Sequence, residues 1–119
     1  MGDQIMPLID TKLNIPLPAE KEKILKAKLG EAISTFPGKS EYWLMLQFTD
    51  ECRLWFRGYD NFPAAMVEVK LFGTASKEDC AVMTKKICNI FHSVLGILPD
   101  HIYINYTFST VWGWNGENF

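Results

Sequence analysis

The sequence has no excess of positive charge, no long apolar run and no familiar catalytic signature. Its formal net charge is −2 over 119 residues. Neither a nucleic acid nor an acidic membrane surface is attracted without a basic face, so neither is expected as a partner. No stretch reaches the length of a membrane span. The first residues lack a basic segment followed by an apolar one, so no signal peptide is expected. HExxH, GxSxG, GxGxxG and the P-loop are all missing. Cysteine is scarce: Cys52, Cys80 and Cys88 are odd in number and widely spaced. That spacing predicts no disulfide and no metal site, and it fits a reducing, cytoplasmic setting.

What the chain does have is core. Apolar residues make up 48% and aromatic residues 13%, enough for one folded domain. "PLIDTKLNI" alternates as a strand does and stops at Pro16 and Pro18. In the segment 19–36, Leu25, Leu29, Ala32, Ile33 and Phe36 fall on one helical face, and Pro37-Gly38 closes it. "YWLMLQFT" reads as a largely buried strand, "RLWFRG" as a short one, and "AMVEVKLFG" as another. Ser76, with Asp79 three residues later, starts a second helix. That helix buries Met83, Ile87, Ile90, Phe91 and Val94 and ends near Gly96 and Pro99. "HIYINYTF" is the last long strand, and "WGWNGENF" an aromatic, glycine-rich tail. His92 and His101 read as structural or exposed. The lysines from Lys21 to Lys28 read as a solvated helix face.

The order strand–helix–strand occurs twice. Each crossover makes its flanking strands parallel and lays its helix on one sheet face. The expected fold is α+β: duplicated βαβ units forming a four-stranded mixed sheet with both helices on one face, plus short extra strands. The opposite face is then bare. Reading Met45, Phe48, Val67 and Val69 as part of it predicts an oligomer.

The fragments "MPLI", "GKSEYWLM", "FRG", "LFG", "LGILPDHIYINY" and "WGWNGENF", in this order and spacing, resemble the macrophage migration inhibitory factor family of the tautomerase superfamily. The likeness spans Met6 to Phe119. It implies a homotrimer and keto–enol tautomerisation of small aromatic 2-oxo acids, of the phenylpyruvate or dopachrome type, with no cofactor and no metal. By the resemblance, Pro7 is the catalytic base once it is the first residue. A chain-terminal amine titrates near pH ~8, and burial lowers that value. A neutral amine can then take a proton from carbon at pH 7. Lys39 matches the residue that holds a substrate carboxylate. Phe72 matches the position whose backbone N–H assists, although the family usually has a smaller aliphatic residue there. Tyr103 and Asn105 match pocket residues supplied by a neighbouring subunit. Trp112 and Trp114 line the mouth, and Trp43 matches an aromatic position at the rim. Where mammalian members carry a CxxC this chain has "PAAM", so thiol-redox activity is not expected.

The departure from the pattern is the opening "MGDQIMPLID". Residues 1–6 form an N-terminal extension to a 7–119 domain, and while they are attached the Pro7 nitrogen is an amide without basicity. A start at Met6, residues foreign to the natural chain, or a lost activity each account for them; the match of the pocket residues as a set favours a start at Met6. The alternative function is a non-catalytic, cytokine-like protein on the same trimer. It would be secreted by a non-classical route and act on an animal host's receptor.

Overall fold

The computed structural model describes residues 6–119. The extension residues 1–5 lie outside the described residues. Four strands form one sheet: β1 (Pro7–Leu13), β2 (Met45–Thr49), β3 (Ala65–Phe72) and β4 (Ile102–Ser109). Their order is β2-β1-β3-β4. β1 is parallel to β2, antiparallel to β3, and β3 is parallel to β4. Helices α1 (Ala19–Ala32) and α2 (Lys77–Leu95) are the two crossovers. Leu25 and Leu29 of α1 and Met83, Ile87 and Phe91 of α2 are buried with Ile9, Val67 and Val69. These helix residues recur every four positions and the strand residues every two, so each element contributes one face to a shared core.

Local signals set the ends of the elements. The Ser76 hydroxyl accepts the Asp79 N–H at 3.0 Å, and Gly96 closes α2 at φ 72°. The α-helical part of α1 stops at Ala32, and residues Ile33–Thr35 tighten into a 3-10 turn. Pro37-Gly38 follows, with Gly38 at φ 79° and the Lys39 N–H donating to Phe36 O at 3.1 Å. That is the geometry of a type II turn, which needs a positive φ at its third residue.

The two halves correspond in register. Leu8 pairs with Met45 in the first parallel ladder, and Met66 pairs with Tyr103 in the second; both residues have moved on by 58 positions. Asp10 faces Glu68 across the central ladder and is also its counterpart under that offset. A pseudo-twofold axis therefore passes between these two carboxylates.

Three expectations are corrected. Tyr42 and Trp43 lie in a 3-10 turn (Glu41–Trp43), and β2 is an edge strand with Met45 69% exposed, not a largely buried one. "RLWFRG" forms no strand; only a single bridge joins Phe56 to Tyr59. Of the residues expected on the helix-free face, Met45 lies there beside Leu8, but Phe48, Val67 and Val69 turn toward the helices, which leaves the centre of that face charged. Asp10, Lys12, Glu68 and Lys70 occupy the other side, where Lys12 Nζ lies 3.1 Å from Asp10 and 3.9 Å from Glu68. An apolar bare face thus gives no argument for an oligomer.

The tail adds what periodicity did not predict in detail: a hairpin of β5 (Gly113–Trp114) and β6 (Glu117–Asn118). Its turn residues Asn115 and Gly116 have φ 56° and 79°, as a two-residue hairpin turn of type I′ requires.

Candidate active site

Pro7 is the first residue of β1 and is buried. A strand can begin with proline because its missing N–H leaves no ladder bond unmade. Beside it Leu8 pairs with Met45 on one flank, and Pro7 itself pairs with Leu71 on the other. A groove of about 670 Å³ opens there, walled by Pro7, Met6, Trp43, Met45, Trp112 and Trp114 among others.

Two elements shape the groove. The 3-10 turn brings Trp43 to one side, with Tyr42 edge-on to it at 4.9 Å. The hairpin brings Trp112 and Trp114 to the other. Trp114 meets Trp43 edge-on at 5.0 Å and stacks on Phe119 at 6.2 Å. The Phe119 N–H donates to Trp112 O at 2.9 Å, which closes the hairpin. Phe72 packs against both Trp112 (6.5 Å) and Phe119 (5.8 Å). It anchors the hairpin and is not one of the groove's wall residues. This explains how a bulky aromatic fits there: the ring is used to seat the tail.

Lys39 is 5% exposed. Among the described residues no carboxylate pairs with it, and its Nζ lies 5.9 Å from the centre of the Phe36 ring. Burial lowers its pKa to about 8. A buried ammonium without a counter-ion is costly, and an arriving carboxylate would relieve that cost. Lys39 is not one of the groove's wall residues.

Tyr103 and Asn105 are not brought to Pro7 within one chain. They pair with Met66 and Glu68, whereas Pro7 pairs with Leu71. Leu71 and Met66 are separated by about 17 Å of strand, at ~3.3 Å per residue. Tyr103 is 62% exposed on the helix-free face. Tyr106, the residue after Asn105, faces the helices; its hydroxyl donates to Cys80 O at 3.0 Å, and burial pushes its pKa up to about 12. It is held neutral as part of the packing.

Met6, Tyr42 and the Leu44–Leu46 segment were missed as groove residues. The Asn-Gly pair at 115–116 was the available signal for the hairpin, and hence for which face of the tail turns inward.

The fold agrees with that of other proteins. Residues 6–119 match the family model described as macrophage migration inhibitory factor (MIF). Leishmania major MIF2 has 32% sequence identity to the chain and a TM-score of 0.89, over 96% of this chain and 97% of that one. The macrophage migration inhibitory factor homologue of Prochlorococcus marinus has 29% identity and a TM-score of 0.78, over 94% and 98%. Macrophage migration inhibitory factor of Meriones unguiculatus is 26% identical over 117 residues, 96% of this chain and 99% of its own. The chain therefore belongs to the macrophage migration inhibitory factor family, within the tautomerase superfamily.

Proposed function

We propose that the protein, with Pro7 as its first residue, is a keto–enol tautomerase of small aromatic 2-oxo acids such as phenylpyruvate. The observation that carries this reading is a buried Pro7 opening on an aromatic-walled groove. As a free secondary amine, Pro7 takes a proton from the carbon beside the ketone, and the electron pair moves to the ketone oxygen. Pro7 then gives the proton to that oxygen, forming the enol. The reverse sequence regenerates the ketone. Low polarity around Pro7 favours the neutral amine, and its ring fixes the direction of the lone pair. Trp43, Trp112 and Trp114 enclose the aromatic ring, and Lys39 holds the carboxylate. The active form is a homotrimer in which Tyr103 and Asn105 of one copy serve Pro7 of the next. The separation of these residues within one chain supports that assignment, as do the free edges of β2 and β4.

The test compares initial rates of phenylpyruvate tautomerisation for protein beginning at Pro7 and for protein retaining residues 1–6, each checked by mass. The first should be active and the second nearly inactive, with both folded and trimeric. Pro7→Gly in the short form keeps a primary amine and should retain reduced activity. Equal rates for the long and short forms would remove Pro7 as the base.

A second reading has an observation of its own. In this chain the Pro7 nitrogen is bonded to Met6, and Met6, 4% exposed, forms part of the groove wall. With that bond intact the same trimer is a non-catalytic, cytokine-like binding protein.

A further inference from the structure

We infer that Phe56 and Arg57 are positioning residues for Tyr103, in a brace that sets the tyrosine's hydroxyl for the neighbouring copy's pocket. The inference rests on the tautomerase reading and deepens it. Among the described residues, Phe56 is the one ring against Tyr103, edge-on at 5.3 Å and 89°. Phe56 also packs on His101 at 5.5 Å. The Arg57 guanidinium lies 4.9 Å from the centre of the Phe56 ring. Its Nη1 donates to Asp100 Oδ2 at 3.4 Å. Asp100 and His101 immediately precede β4, so the brace returns to the root of the strand that carries Tyr103.

The backbone gives the second line of argument. The Phe56 and Tyr59 N–H groups donate to each other's carbonyls at 2.8 and 3.0 Å. Between them Arg57 and Gly58 have φ 55° and 81°. This geometry favours asparagine, aspartate or glycine at its first position, and a larger side chain there is strained. The hairpin turn at the corresponding place in the other half uses Asn115. Arginine is thus held against its backbone preference. Its reach is what the position gains: a cation over Phe56 and a contact to Asp100. An otherwise exposed tyrosine loses rotational freedom as a result, and a misplaced group is costly to a reaction that needs it aligned.

The experiment uses Arg57→Gly, Phe56→Leu and Tyr103→Phe, with Arg57→Gly also combined with Tyr103→Phe, in protein beginning at Pro7. Arg57→Gly relieves the turn, so its melting temperature should hold or rise while kcat/KM falls roughly tenfold. In the Tyr103→Phe background Arg57→Gly should have no further effect on kcat/KM. A second readout needs no turnover: the ring resonances of carbon-labelled Tyr103 in the full chain should move on Arg57→Gly and on Phe56→Leu. Equal kinetic losses in both backgrounds, or an unmoved Tyr103 ring, would overturn the brace. A parent protein that folds but lacks tautomerase activity would instead overturn the proposed function, and the ring resonances would then decide the brace on their own.

Discussion

The two ends of the sheet are the same place built twice. Under the 58-residue offset, Pro7 corresponds to Ala65, Trp43 to His101 and Met45 to Tyr103. The turns that lean over each end correspond as well. Trp114 rests on Trp43 at 5.0 Å, and Phe56 rests on His101 at 5.5 Å. One end opens into a groove over a buried proline. At the other, the position equivalent to the proline is an alanine, and Phe56 lies against the side chain that faces outward. Duplication supplied two equivalent frames, and the chemistry divided between them. On the proposed function, one frame holds the base and the aromatic enclosure, and the other presents polar groups to a neighbour.

The largest expected effect is one that breaks this division in a single step. Joining residues 1–6 to Pro7 should lower activity by about 10²–10⁴-fold, the range for a general base. The melting temperature should change little, because the core built on Leu25, Leu29, Met83 and Ile87 keeps all its residues. Parallel rate and melting measurements check both halves of that statement.

Next is the separation itself. Tyr103→Ala disables one end and Pro7→Gly weakens the other. Unfolding the two variants together and refolding the mixture should give trimers with some sites made of two intact ends. Activity above the sum of the separate variants is expected, and none would appear if each chain carried a complete site.

Lys39 sharpens the comparison through charge. Lys39→Met should raise KM for aromatic 2-oxo acids by roughly 10–100-fold, the loss of a charge-assisted contact, and should leave the corresponding esters little changed. For the parent, binding of the acid should weaken as pH rises through about 8, where Lys39 loses its proton. The stability effect has the opposite sense. The folded value of about 8 lies below the ordinary 10.5, so between them the unfolded chain holds more protons and rising pH favours the fold. Lys39→Met should accordingly be more stable than the parent at pH 7, by roughly 1–3 kcal/mol. That advantage should shrink as pH climbs from 8 toward 10.5. Denaturant melts across this range provide the check.

The smallest effects compare the two turns. Gly58→Ala and Gly116→Ala each place a side chain at φ near 80° and should cost about 1 kcal/mol. Only the second loosens a groove wall directly, so its KM for phenylpyruvate should rise more. Equal changes in KM would mean that both turns act on the site alike.

Much of this architecture is legible in the sequence, because strand and helix periods are local. Alternation in "PLIDTKL" and the spacing of four from Met83 through Ile87 to Phe91 are dictated by which side chains must share a core. Other features depend on partners that a sequence does not display. "RLWF" has the composition of a strand, but among the described residues no strand lies beside it to take its hydrogen bonds. Tyr42 and Trp43 favour extended structure and still adopt a 3-10 turn, where both rings find contacts. The polarity of the bare face follows from which residues of β3 alternate inward, Val67 and Val69 rather than Glu68 and Lys70, and that choice was open to the sequence reading. Pro7, Trp43, Trp112 and Trp114 wall one groove, a convergence that no local period encodes. The distance from Pro7 to Tyr103 follows from strand order, a property of the whole sheet.

The pseudo-twofold axis between Asp10 and Glu68 also makes the molecule divisible. A cut in the exposed segment between Asp60 and Asn61 leaves each strand–helix–strand unit whole and yields two pieces of nearly equal length. The seven pairs of the β1–β3 ladder, Pro7↔Leu71 to Leu13↔Ala65, are the seam along which they would rejoin. The Asn14 carboxamide spans the same seam, accepting the Ala64 N–H at 2.8 Å. Each piece also carries a strand whose partner sits in the same register on the other, so a piece could meet its own duplicate edge to edge. Complementation between unlike fragments would then be decided by how side chains interlock beneath the sheet, since the acidic pair at the axis is alike from either side.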